Sequence, residues 1–394
     1  KAQRSKEATE FFFAVFAPLR EKLFSVMNSN AYDMVVIGAG IVGAACAAEC
    51  AREGLSVAIV EAGIIGGGAT AAGMGHLVVM DDSEAQFALT RDSQQLWDEM
   101  SLPREVEYDA CGTIWIAADD EEMAEAMRKA KFYSDRGVRV EVLDAQSLAE
   151  AEPNLRPGLV GGLRVPGDSV IYPPCAAQYF VESSGADLFL GVAVGSVTAD
   201  GVRLRDGSSI SAGVIVNATG SWAPALTPGL AVKKRKGHLV ITDRYPGFLR
   251  HQLVELGYLK SAHSVTADSV AFNIQPRRTG QLLIGSSRQY DVDEPYVDPS
   301  ILTRMLDRAV EYLPGLRRLC SLRAWTGFRA ATPDKLPLIG PHEEHKRLYL
   351  ATGHEGLGIT TSLATAKLLV AQVMNREPAI PIAPYLPSRV TQHA

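Results

Sequence analysis

YDMVVIGAGIVGAACAAECAREGLSVAIVE, residues 32–61, is the stretch that decides the fold. Residues 34–37 are a short, fully apolar run of the kind that forms a buried strand. Gly38, Gly40 and Gly43 follow at G-x-G-x-x-G spacing, and an Ala- and Cys-rich helical segment runs on to about Arg52. Gly54 stops that helix, residues 57–60 read as a second buried strand, and Glu61 closes it. Gly38 permits the tight turn, Gly40 lets a pyrophosphate approach the backbone, and Gly43 lets helix and strand pack closely. The helix N-terminus offers N–H groups and the positive end of a dipole to phosphates, and an acid at Glu61 is placed for ribose hydroxyls. Lone glycine motifs are often ordinary turns. Here strand, glycines, helix, second strand and acid fall within one βαβ unit of about 30 residues, which predicts a Rossmann-like dinucleotide site.

The 394-residue chain as a whole allows two domains, or one with an inserted lobe. A 47% hydrophobic and 21% charged composition with a net charge of -6 fits a globular protein and gives no basis for a nucleic-acid partner. The five cysteines form no C-x-x-C pair, which predicts a reducing compartment and no metal or cluster held by this chain. Cys46 and Cys50, four apart on the first helix, are expected in the core. No apolar run reaches membrane-spanning length, so no integral membrane segment is expected. The location expected is cytoplasmic, or peripheral to the inner membrane. Residues 1–26 stand apart: an apolar patch at 11–16 between charges reads as an expression remnant, an amphipathic docking helix or a membrane-surface helix, with Met27 as a candidate initiator.

Downstream, residues 62–76 form a Gly/Ala-rich loop suited to backbone lying close to something bulky and flat. Helices are expected at 83–100, 119–136 and 299–312, and strands at 106–108, 113–117 and 138–143. Residues 161–171 read as a hairpin bent at Pro166-Gly167-Asp168, and 187–217 as a β-meander that runs into the small-residue turn NATGSW (217–222). Strand follows strand from 231 to 287, which predicts an inserted antiparallel-sheet domain. The basic run 233–236 reads as a solvated face. The domain division expected is an extension at 1–30, a discontinuous dinucleotide domain at 31–82, 144–224 and 325–387, and a substrate domain at 83–143 and 225–324. The fold class is thus mixed α/β.

The glycine unit, the 66–75 loop, NATGSW and the C-terminal pair GFRAATPD (327–334) and GHEGLG (353–358), in that order, resemble the FAD-dependent D-amino-acid oxidase superfamily, on its glycine and sarcosine oxidase side. GMGHLVVMDDSEAQ (73–86) and ATGHEGLGITTS (351–362) look most like the flavin β subunits of bacterial hydroxyproline and opine dehydrogenases.

That resemblance implies FAD, held by Gly38, Gly40, Gly43 and Glu61 at its ADP half. Ala69, Thr70, Ala72, Gly73 and Met74 would lie beneath the flavin. Val194 would meet the adenine, and Ala218, Gly220 and Trp222 the pyrophosphate. Gly353, Gly356, Leu357, Gly358 and Ile359 would face the pyrimidine end of the ring, where a helix N-terminus stabilises negative charge on the reduced flavin. Arg329 would clamp a substrate carboxylate through its planar fork, with Arg277, Arg278 and Arg288 as competitors. His354 would contact substrate or flavin, or else hold the loop; Glu355, Tyr258 and His76 are further candidates. Some relatives attach flavin through a cysteine ahead of the T-P motif; none stands near Gly327, so the FAD is expected to be non-covalent. The activity implied is oxidation of an amino or imino acid to the imine, with electrons passing to partner subunits that carry an iron–sulfur cluster or second flavin. An oxygen-using amine oxidase, a non-catalytic flavin-binding subunit and a nicotinamide-dependent dehydrogenase are the alternatives.

Overall fold

A computed structural model describes residues 31–257 and 268–391; the N-terminal segment and Tyr258 lie outside these residues. The fold is mixed α/β, built among the described residues on two large sheets and a small two-stranded one. The first begins with β1 (Ala31–Ile37) and β2 (Val57–Glu61), joined by helix α1 (Ile41–Arg52). Parallel pairing places β1 between β2 and β11 (Ser209–Asn217), with β8 (Asp187–Leu190) beyond β2 and β18 (Leu348–Thr352) beyond β11. β17 (Leu338–Pro341) closes one edge antiparallel, while β9 (Val194–Thr198) and β10 (Gly201–Leu204) form the expected meander onto β11. β1 is unbroken hydrophobe because both of its faces are covered. Met34 and Val36 point to a core shared with α1, while Val35 and Ile37 point to the meander side. Cys46 and Cys50 are fully buried in the first of these cores.

The second sheet runs β19 (His354–Glu355), β16 (Ser321–Ala331), β12 (Lys233–Thr242), β15 (Leu282–Arg288), β14 (Ser269–Pro276), β13 (Gln252–Glu255), β4 (Thr113–Ala117), β6 (Gly161–Val165), β5 (Glu141–Asp144). Its strands alternate by the period of two. Ile114, Ile116, Leu253, Phe272 and Ile274 face the helix Pro299–Tyr312, where Phe272 stacks on Tyr312 at 4.6 Å. Trp115, Gln252, Val254, Asn273, Leu239 and Arg329 line the opposite face, a cleft between the two sheets.

Several expectations are corrected. The stretch 161–171 is not a hairpin: Gly161–Val165 joins the second sheet, whereas β7 (Ser169–Val170) pairs with β3 (His76–Leu77). The Pro-Gly-Asp bend therefore leads from the second sheet into a separate two-stranded sheet instead of reversing within one. The strand expected at 106–108 does not form: a 3-10 turn at Arg104–Val106 ends there and Glu107 follows it with φ +53. β6 and the larger part of β16 fall in ranges expected for the dinucleotide domain, yet both strands belong to the second sheet. The run 233–236 is no solvated face either: it lies in β12, with Arg235 and Lys236 buried. Pairing along β16 draws it inward.

Candidate functional site

A single cleft of about 740 Å³ runs from the ends of β1 and β2 to the face of the second sheet. Gly38 opens it with φ +103, a conformation that L side chains rarely adopt. Gly43 stands behind: a Cβ there would lie 2.0 Å from the Gly38 carbonyl oxygen, so only hydrogen lets α1 seat against the turn. α1 starts at Gly40 without a side-chain cap, and Thr70 Oγ1 accepts from Ile41 N–H at 3.0 Å, tying the 62–76 loop to it. The Glu61 carboxylate accepts from the backbone N–H groups of Ala39 (2.8 Å) and Gly63 (2.7 Å). It therefore braces the turn from which it faces the cleft, and its remaining lone pairs suit ribose hydroxyls.

Gly38, Gly40, Glu61, Ala69, Thr70, Ala72, Gly73, Met74, Val194, Ala218, Gly220, Trp222, Gly353, Gly356, Leu357, Gly358 and Ile359 all line this cleft, as do Arg329 and His354, whereas Gly43, Arg277 and Arg278 do not. Glycines and other small residues recur along the lining from β2 to the uncapped start of the helix Gly358–Val373. Such a surface fits an elongated dinucleotide with a flat ring at its far end.

At that far end β16 and β12 run antiparallel, with Gly237 opposite Gly327 and Arg235 opposite Arg329. A Cβ on Gly327 would lie 2.3 Å from Ala72 Cβ, so the second sheet rests directly on the 69–74 loop. A Cβ on Gly237 would lie 2.6 Å from Arg329 Nη1. Arg329 thus lies across the place of a missing side chain, and its Nη1 donates to the Ser287 carbonyl at 3.0 Å. β19 adds to β16 with Glu355 opposite Ala330. Glu355 has φ +53 and ion-pairs with Arg235, whose guanidinium sits 4.7 Å from the Tyr290 ring. Burial works against its charge, but the guanidiniums of Arg329, Arg288 and Arg235 prevail and hold it below the usual carboxylate range.

His354 is buried, its Nε2 2.9 Å from Thr365 Oγ1, and burial pushes its pKa down to about 3. His76 also lines the cleft; burial, helped by Arg329, pushes it down to about 4. Both rings are neutral at pH 7. The competitors separate clearly: Arg277 is bound by Glu107 at 2.7 and 3.0 Å, and Arg278 donates to the Tyr108 carbonyl, whereas Arg288 lines the cleft. Sequence reasoning missed Arg235; alternation along β12, with Arg235, Gly237 and Leu239 on one face, was the signal that could have found it. Among the described residues no group of three or more His, Cys, Asp or Glu could hold a metal, and no helix is long and apolar enough to cross a membrane.

Comparison with known proteins follows the geometry. Glycine oxidase of Geobacillus kaustophilus is 28% identical over 377 residues, covering 91% of this chain and 97% of that protein. Its crystal structure superposes with a TM-score of 0.83 at 27% identity, covering 92% and 99% of the two chains. Hydrogen cyanide synthase subunit HcnC of Pseudomonas aeruginosa is 27% identical over 423 residues, covering 92% and 97%. L-proline dehydrogenase from P. horikoshii, 24% identical, shares the fold with a TM-score of 0.82 over 93% and 99% of the chains. The DAO model, described as FAD dependent oxidoreductase, matches residues 33–372, and the chain belongs to that family of FAD-dependent enzymes.

Proposed function

We propose that this protein oxidises the Cα–N bond of an amino or imino acid, of D-amino-acid or hydroxyproline type, to the imine, with FAD held non-covalently. The observation that carries this is Arg329, laid over Gly237 at the ring end of a dinucleotide cleft and kept there by Ser287. FAD, when bound, supplies the two-electron acceptor. Gly38, Gly40, Gly43 and Glu61 would hold its ADP half, with Val194 at the adenine, Ala218–Gly220–Trp222 along the pyrophosphate, and residues 69–74 and 353–359 against the flavin. No cysteine lines the cleft among the described residues, in keeping with non-covalent attachment.

Arg329 binds the substrate carboxylate through two parallel N–H bonds and so fixes the direction of the Cα–H. Glu355, pinned by Arg235, lies within electrostatic reach of Arg329 and balances part of the local positive charge. His354, neutral and bonded to Thr365, positions the 353–358 turn and moves no proton. Electron transfer needs only an oriented, uncharged amine at the substrate end of the cleft.

Similarity to a protein named as a synthase subunit supports work within a dehydrogenase complex, where partner subunits carry the iron–sulfur cluster or second flavin. Similarity to glycine oxidases supports the second reading, direct use of oxygen. Anaerobic addition of D- and L-amino acids, cyclic imino acids and opines to the flavin-loaded protein tests the activity. Bleaching of the flavin by at least one of them is expected, and a spectrum unmoved by all would leave a non-catalytic flavin-binding subunit. Co-purifying subunits, against strong peroxide production by the isolated chain, separate the two acceptors.

A further inference from the structure

The cleft does not end at the arginines. It continues along the second sheet to Asn273 on β14, Gln252 on β13 and Trp115 on β4, with Gln86 facing them from the helix Glu84–Asp98. Each carries a buried polar atom with no hydrogen-bond partner: Asn273 Oδ1, Gln252 Oε1, Trp115 Nε1 and Gln86 Oε1. Gln252, Trp115 and Gln86 are only 1%, 3% and 7% exposed, so bulk water does not serve these atoms. They sit together by register: Val254 pairs with both Trp115 and Asn273, and Gln252 pairs with Thr113. Gln252 is also fixed in direction, because its Nε2 donates to Thr113 Oγ1 at 3.1 Å.

A buried polar atom without a partner costs about 1–3 kcal/mol. Several in side chains that line one cavity therefore point to a ligand that satisfies them. None of the four side chains is charged. The nearby cation Lys129, 4.4 Å from the Trp115 ring, is ion-paired with Asp81. Indole N–H can only donate, whereas the amide groups offer acceptors and donors, so the matching group must both accept and donate. β14 lies three strands from β16 in the sheet order, about 14 Å. β13 and β4 lie one and two strands farther, and Arg329, lying over Gly237 on β12, covers part of the span from the other side.

We propose that this pole binds a neutral hydrogen-bonding group, a hydroxyl or carboxamide, on the side chain of the substrate. Its carboxylate lies on Arg329, an assignment that rests on the amine-oxidation reading above. The site so built has an anion pole and a neutral polar pole, and it selects polar amino or imino acids over unsubstituted or dicarboxylic ones.

The test uses the flavin-loaded protein under anaerobic conditions and matched pairs of substrates. These are proline with 4-hydroxyproline, alanine with serine, and glutamate with glutamine, each in both configurations. The hydroxyl-bearing or amide-bearing partner should reduce the flavin at least 10-fold faster at equal low concentration in one or more pairs, and the preferred pair separates hydroxyl from carboxamide. In Asn273→Leu and Gln252→Leu, with flavin content and visible spectrum retained, that ratio should fall below about 3. Reduction of the flavin without preference in any pair overturns the polar pole and leaves the oxidation reading intact. A preference that survives both variants also overturns it. If no compound of any pair reduces the flavin, the oxidation reading fails and takes this assignment with it. The wild-type ratio stands as a test even if a variant does not fold.

Discussion

Gly237 and Arg329 occupy one volume between them: a Cβ on the glycine would lie 2.6 Å from Nη1 and 2.9 Å from Nη2 of the arginine. The proposed anion-binding group is therefore positioned by the absence of a side chain on the neighbouring strand. Gly237→Ala should push the guanidinium away from the cleft while leaving the distant nucleotide end untouched. We expect kcat/KM to fall 10- to 100-fold, carried mostly by KM, with flavin content unchanged. Loss of flavin together with activity would show that Gly237 serves the fold instead.

Removing the fork itself should cost more. Arg329→Ala is expected to lower kcat/KM by about 2–4 kcal/mol, and Arg329→Lys should recover only part of this because one ammonium cannot reproduce two parallel bonds. Steady-state kinetics with the best substrate of the anaerobic screen, at constant ionic strength, checks both. Unchanged kinetics with FAD retained would remove Arg329 from the site.

At the nucleotide end, Gly43→Ala sets a methyl group 2.0 Å from a backbone oxygen. Overpacking of that kind typically costs about 1–3 kcal/mol, and here it also shifts the helix start that faces the cleft. Titration with FAD should show weaker binding than wild type, and the stabilisation that FAD gives in thermal melts should shrink.

Neutral histidines set the pH behaviour. His354 and His76 are held near 3 and 4, below the unfolded value of 6.5, so the unfolded chain binds protons that the native one refuses as pH falls from 6.5. Stability should decline from pH 6.5 toward 4, and His354→Gln should make that decline shallower in thermal melts. Neither histidine titrates between pH 5.5 and 8, so kcat/KM in that window should follow the substrate amine. An inflection near 6.5 that vanishes in His76→Gln would contradict this.

Asp168 works in the opposite direction. Burial raises its carboxyl to about 7, against hydrogen bonds from Gln94 (2.9 Å) and Val79 N–H (3.3 Å). An unfolded value near 3.9 means that the native state becomes relatively less stable as pH climbs from 3.9 through 7. Asp168→Asn keeps the group neutral and should raise the Tm more at pH 8 than at pH 5.

Much of the nucleotide end was legible in the sequence because its determinants are local. Gly38 needs a positive φ, Gly43 needs to lack a Cβ, and β1 is apolar throughout; each demand is written within a few residues of the others. Arg235 was not legible, because its burial depends on β16 pairing from nearly a hundred residues away. The same holds for the hairpin expected at 161–171, where local turn chemistry at Pro166-Gly167-Asp168 was overridden by strands from two sheets. Trp115, Gln252 and Asn273 stood in plain view as polar-tipped residues inside apolar strands. Which of the two sheet faces they shared emerged only once β4, β13 and β14 were set side by side.

The divided stretch 161–171 has a mechanical consequence. Val165 is laced into the second sheet and Ser169 into the small β3–β7 sheet, and between them Asp168 is clasped by Gln94 and Val79. Jaw-like parting of these two sheets would have to tear this rivet, so traffic of small molecules must go around the seam, and the outline of the particle in solution should be the same with its reaction chamber full or vacant.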